Sequence, residues 1–140
     1  MAEEVRCGDF GKAMTDDELS YLILNCAYKV HTKLGPGLLE TVYRTCLAYE
    51  LRKAGLIAIE ELYFNVVYDG ITFDKGFRMD ILVEDRFVLE LKVAEKIMPN
   101  HVAATLSYLR FGKVKRGLIL NFAEKHLKNG IQRLVIPDIP

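Results

Sequence analysis

The sequence predicts an α/β fold, a mixed central sheet flanked by helices in the order α-α-β-β-β-α-β-β. Three observations carry this. Apolar residues recur at helical spacing across residues 19–51 and again across 102–109. Between and after them lie alternating or continuous runs of Val, Ile, Leu, Phe and Tyr bounded by turn residues, which read as strands. At 140 residues and 51% hydrophobic, the chain is long enough to bury a sizeable core between such layers.

Residues 1–14 lack periodicity and are expected to form a flexible tail, with a single domain over residues 15–140. Thr15-Asp16-Asp17-Glu18 fits a capping box, with Thr15 as N-cap and Glu18 three residues on. Leu19, Leu22, Ile23, Cys26, Ala27 and Val30 then share a helical stripe as far as about Lys33, where Gly35-Pro36-Gly37 breaks the helix. A second helix is predicted from about Leu38 to Lys53, with Gly55 at its end. Residues 59–70 alternate and end on Asp69-Gly70, a hairpin turn signal. Residues 71–76 begin the return, and FRMDILVEDRFVLELK (77–92) reads as two apolar arms around a polar break at Glu84-Asp85-Arg86. HVAATLSYLRFG (101–112) is helical, RGLILNF (116–122) is a buried strand, and KNGIQRLVIP (128–137) supplies an Asn-Gly turn and a last strand.

No apolar run approaches the roughly 20 residues that span a bilayer, so no membrane partner is expected. Cys7, Cys26 and Cys46 stand far apart without a CxxC pair. Together with an acidic, polar start, this points to reduced thiols in a cytoplasmic protein without a zinc site. Net charge is zero but uneven: residues 1–70 hold 7 Lys+Arg against 11 Asp+Glu, and residues 71–140 hold 12 against 8. The basic excess gathers in RFGKVKR (Arg110, Lys113, Lys115, Arg116) and more thinly in EKHLKNGIQR, either as solvated surface or as a phosphate-facing patch. His31 and His126 have no evident partners and are expected at the surface or at helix ends.

The hairpin poses a chemical problem. Asp80, Glu90 and Lys92 interrupt arms built for burial, and a buried charge costs several kcal/mol unless it is paired or bound to a metal. Glu90 and Lys92 are two apart and share a strand face. A two-residue loop at 84–85 turns Asp80 away from Glu90, whereas a three-residue loop at 84–86 sets them directly opposite. Adjacent carboxylates need a cation, and oxygen ligands suit Mg²⁺ or Mn²⁺. The competing arrangement is an internal Glu90–Lys92 ion pair with Asp80 in a turn hydrogen bond. Glu40, Tyr43 and Leu47 follow i, i+3, i+7, so Glu40 leans toward the sheet with Leu47, either as a further acid of the site or as a glutamate favoured by the helix N-terminus.

GPGLLETVY carries G-x-x-E-x-x-Y as Gly37, Glu40 and Tyr43. With FRMDILVEDRFVLELK and GLILNF in the same order, the chain resembles the GxxExxY proteins, a branch of the PD-(D/E)XK nuclease superfamily, from about Asp17 to Ile136. The resemblance implies a restriction-endonuclease-like core holding Mg²⁺ or Mn²⁺ at one end. It implies Asp80, Glu90 and the Leu91 carbonyl as metal ligands, Glu40 as the helical acid and Lys92 as the residue that positions the nucleophile. Tyr43 either packs between helix and sheet with its hydroxyl satisfied or orients Glu40 or a phosphate; Arg78 contacts a phosphate or balances the acids; His101 is a helix-start or surface residue or an auxiliary one; and Arg110, Lys113, Lys115 and Arg116 are candidate nucleic-acid contacts from their charge. Relatives read H-x-x-Q after the E-x-K strand, whereas here His101 is followed by Ala104. The expected function is metal-dependent hydrolysis of DNA or RNA; the alternative is a nuclease-fold module for nucleic-acid or protein binding that has lost turnover. A nuclease that cuts both strands of a duplex is often a dimer, so a homodimer is one possibility and the oligomeric state stays open.

Overall fold

The computed structural model describes residues 14–137. Its elements run α1 (Asp16–Leu34), α2 (Glu40–Lys53), β1 (Ala58–Tyr68), β2 (Ile71–Val83), β3 (Phe87–Lys92), α3 (Pro99–Gly112), β4 (Arg116–Asn121), a 3-10 turn (Leu127–Gly130) and β5 (Ile131–Val135). The predicted order holds. The tail expected at 1–14 lies outside the described residues except for Met14, which packs against the core.

Local chemistry sets the boundaries. Thr15 Oγ1 accepts from the Glu18 N–H at 3.1 Å, so α1 starts where the capping box places it. The second helix begins at Glu40, two residues later than its apolar pattern suggests, because Gly35 and Gly37 hold positive φ (68° and 104°) and Leu39 is the extended N-cap. α3 starts earlier than expected, at Pro99, a residue favoured in the first helical turn because its missing N–H would have no helical partner there. Asp69 and Gly70, both left-handed, close the β1–β2 hairpin.

The five strands lie in the order β1-β2-β3-β4-β5, all antiparallel except the parallel pair β3–β4, whose crossover is α3. Helices α1 and α2 cover one face through Leu19, Ile23, Leu47 and Leu51 on Ile81, Leu89, Leu91, Leu118 and Leu120. α3 covers the other through Leu109, packed with Met79, Leu82 and Val88. With both faces of β3 covered, its residues Phe87–Leu91 are all buried. Leu89→Ala, a truncation at a fully buried central position, is expected to cost about 2–5 kcal/mol in chemical denaturation.

One irregularity shapes the site. The β1–β2 ladder pairs Glu60 with Ile81 and Leu62 with Met79 but skips Glu61 opposite Asp80, and Glu61 is left-handed at φ 52°. Ala58 and Ile81 belong to the α1/α2 core, yet Leu62 and Met79, of the same strand parity, join the α3 core. Both strands therefore change face at the Glu61–Asp80 level, a local kink of the kind bulges produce.

Candidate active site

The β2–β3 register is Val83↔Phe87, Leu82↔Val88 and Ile81↔Leu89, so the loop is the three-residue one at 84–86. Glu84 and Asp85 both take φ 53°, with the Arg86 N–H donating to Val83 O at 2.9 Å. Backbone pairing then stops. The next two residues, Asp80 and Glu90, are where the strands fork, and their carboxylates take over the backbone donors: Asp80 N–H donates to Glu90 Oε1 at 3.1 Å, and Leu91 N–H to Asp80 Oδ2 at 2.9 Å. Both acids are 4% exposed. The strand alternation turns Glu90 and Lys92 toward the α3 side with Val88, while Leu89 and Leu91 enter the α1/α2 core.

The pair has one direct cationic partner among the described residues, Arg78, whose guanidinium donates to Asp80 Oδ1 at 3.1 Å. That does not neutralise both acids. Burial first, and then the Asp80 charge, push the Glu90 carboxyl up to about 9; a side-chain hydrogen bond with Asp80 acts in the same direction. At neutral pH Glu90 thus keeps a proton. An internal Glu90–Lys92 ion pair is not formed among the described residues. The Lys92 charge nonetheless favours the ionised forms of both Glu90 and Glu40.

Glu40 is the first residue of α2 and half-buried. Burial raises its pKa, and the Asp80 charge raises it further, opposed by Lys92, Arg78 and Arg44. Its lean toward the sheet follows from Leu47, fully buried on the same stripe. Arg44 is itself buried, paired with Glu61 and 3.7 Å from Glu60, so α2 is pinned to the kinked part of β1.

The auxiliary residues divide. Arg78 joins the acids. Tyr43 does not reach them: its hydroxyl donates to Gly35 O at 2.5 Å and accepts from Leu38 N–H at 3.1 Å, and its ring stacks on Phe122 with centroids 4.7 Å apart. It shapes the Gly35–Leu38 loop that delivers Glu40. Tyr43→Phe strands two backbone groups of that loop and is expected to cost about 1–3 kcal/mol, read from the denaturation midpoint. His101 Nδ1 accepts from the Met98 N–H at 3.0 Å, capping α3. His31, expected at the surface or at a helix end, is in the last turn of α1 but only 8% exposed, and its Nε2 lies 2.7 Å from Glu124 O, tying α1 to the segment after β4.

Arg116 of the basic run 110–116 is not brought to the carboxylates. Arg116 pairs with Phe87 at the start of the parallel strands, whereas Glu90 and Lys92 lie toward their end, opposite Ile119 and Asn121. Five residues at about 3.3 Å each put Arg116 roughly 16 Å from Lys92 along the sheet. Arg116 is also engaged, donating to Asp16 Oδ2 at 3.0 Å, while Arg86 holds the other oxygen of Asp16 at 2.7 Å. Arg110 donates to Ser107, and Lys113 closes α3 in a left-handed conformation.

Two neighbours were missed by sequence reasoning. Tyr108 of α3 is pushed up by burial and then by the Glu90 and Asp80 charges. Ala104 lies one helical turn before it, on the same stripe of α3. Asn121, fully buried opposite Lys92, accepts from the Ala94 and Ala123 N–H groups and donates to Ala94 O at 2.8 Å, fixing the chain as it leaves β3. A buried asparagine ending the apolar run GLIL was the signal.

Among the described residues, no group of three His, Cys, Asp or Glu side chains is placed to hold a metal ion. The donors at the fork are the Asp80–Glu90 pair and the strand backbone around Leu91, with Glu40 coupled through charge. These oxygen donors fit a hard divalent cation, which would replace a proton that burial forces Glu90 to keep.

A family model described as the PD-(D/E)XK nuclease superfamily matches residues 17–134. No curated protein matches the chain, and no solved structure does. No helix among the described residues is long and apolar enough to cross a membrane. The mixed five-strand sheet with three helices is consistent with the restriction-endonuclease-like fold of that superfamily.

Proposed function

Because the chain belongs to the PD-(D/E)XK nuclease superfamily, we propose that it is a metal-dependent nuclease of the GxxExxY branch, hydrolysing phosphodiester bonds of DNA or RNA with Mg²⁺ or Mn²⁺. The observation that supports this best is the fork, where two buried acids on adjacent strands exchange backbone donors and retain a proton in place of a second cationic partner. A buried pair of that kind costs stability unless it serves a cation.

Asp80, Glu90 and the Leu91 carbonyl would hold the ion. When bound, it supplies charge neutralisation at the phosphate and an acidified water. The protein's own groups do the rest. Lys92, on the same strand face as Glu90, orients the attacking water and donates to the phosphate oxygen on which charge develops. Glu40, half-buried with a raised pKa, takes up or returns a proton at the edge of the site. Arg78 holds Asp80 in place and presents its guanidinium, one-third exposed, to a phosphate.

A second reading keeps the fold and the nucleic-acid contact without turnover, and Ala104, where relatives read glutamine, favours it. A cleavage assay separates the two, using single- and double-stranded DNA and RNA with Mg²⁺ or Mn²⁺ and a Lys92→Ala control. Metal-dependent cleavage by the wild type, lost in the variant, supports the nuclease. Binding without cleavage of any of the four substrates supports the module.

A further inference from the structure

Beside the Gly35–Leu38 loop lies an open cleft of about 550 Å³, within the range of ligand sites. Its walls are the end of α1 with His31 and Thr32, the loop at Gly35-Pro36, and the segment carrying Lys125, His126 and Lys128. Among the described residues, no carboxylate lines it. Lys125, His126 and Lys128 are exposed, and neither lysine enters an ion pair among the described residues.

The cleft is at the carboxylate end of the sheet. Phe122 N–H donates to Lys92 O at 2.9 Å, and Phe122 stacks on Tyr43, whose hydroxyl holds Gly35. One aromatic hub therefore joins the cleft wall, the backbone of Lys92 and the loop that delivers Glu40. The hydrogen bond between His31 and the Glu124 carbonyl fixes the two sides of the cleft against each other.

We propose that this cleft grips the phosphodiester backbone of a nucleic-acid strand next to the stretch presented to Asp80 and Glu90. Its ligand class rests on the nuclease reading, but the grip does not require turnover. Lys125 and Lys128 neutralise phosphates, and the small wall residues Thr32, Gly35 and Pro36, flanked by Tyr28 and Leu127, let the backbone approach. Arg116, the last cation of the charge-richer run 110–116, is at the opposite end of the strands and is held by Asp16.

The test is fluorescence anisotropy of short labelled DNA and RNA, each single-stranded and duplex, in the presence of EDTA so that no cleavage occurs. Three full-length proteins are compared: wild type, Lys125→Ala/Lys128→Ala, and Arg110→Ala/Lys113→Ala as the control for the charge-richer run. The cleft pair is expected to weaken binding at least tenfold and to reduce the slope of log affinity against log salt by about 1.5, with an unchanged Tm; the control pair changes affinity less than twofold. The proposal is overturned by a wild type that binds none of the four nucleic acids, by equal losses in both pairs, or by a cleft pair that lowers Tm without weakening binding. The last result would mean the lysines merely complement the C-terminus of α1. Binding lost in the cleft pair by a protein that never cleaves leaves this inference standing and removes the nuclease reading. Cleavage that needs Glu90 but tolerates the cleft pair does the reverse.

Discussion

Glu90→Gln and Asp80→Asn are each expected to lower the proposed metal-dependent phosphodiester hydrolysis by at least about a thousandfold, equivalent to roughly 4 kcal/mol of transition-state stabilisation. Both substitutions keep the size of the side chain and a hydrogen-bond acceptor. The amide oxygen introduced by Glu90→Gln can still accept from the Asp80 N–H, and that introduced by Asp80→Asn from the Leu91 N–H, so the fork survives. What is lost is the negative charge that competes for a divalent ion. Single-turnover cleavage rates with folding checked by denaturation measure this. A variant that folds like wild type and retains more than a tenth of the rate removes the pair from the metal site.

The metal-free protein is also expected to lose stability as pH rises from about 5 to about 9. Glu90 has an ordinary value of 4.5 and a folded value of about 9, raised first by burial and then by the Asp80 charge. Between those values the folded state holds a proton that the unfolded chain has released. Its stabilising contribution is full below pH 4.5 and disappears as pH passes through the folded value. Glu40, shifted in the same direction by burial and then by the Asp80 charge, adds to the trend. The fall across the window is on the order of a few kcal/mol. Urea denaturation in EDTA at several pH values reads it. Glu90→Gln should flatten most of the decline, and Mg²⁺ or Mn²⁺ should restore wild-type stability at the alkaline end. Parallel pH profiles for wild type and Glu90→Gln would show that Glu90 does not carry the proton.

Much of the architecture was legible in the chain because it rests on local chemistry. Thr15 and Glu18 announce a helix start, Asp69-Gly70 a hairpin, and Leu19 to Val30 a buried stripe, each within a few residues. The relation of Asp80 to Glu90 was legible only as a choice between loop lengths, since both faces of the β2–β3 hairpin are apolar and parity alone is silent. The kink at Glu61 was not legible: a glutamate with positive φ leaves no pattern, and the face change it imposes on Leu62 and Met79 depends on two strands bending together. Tertiary pairing likewise hid the fate of the polar residues. Arg116 meets Asp16 across 100 positions and His31 meets Glu124 across 93. A charge run such as RFGKVKR shows how many cations a segment has but not at which end of a sheet they emerge, which is fixed by the direction of α3 and the parallel pairing of β3 with β4.

Function turns on whether the Asp80–Glu90 fork exchanges a proton for a divalent cation. Isothermal titration of the metal-free protein with Mg²⁺ and Mn²⁺ at pH 7, repeated in buffers of different ionisation enthalpy, measures affinity and proton release together. Wild type is expected to bind with release of close to one proton, falling toward zero as pH passes the folded Glu90 value of about 9, and neither Glu90→Gln nor Asp80→Asn is expected to bind. Binding that persists in both variants, or that occurs without proton release at pH 7, would rule the exchange out.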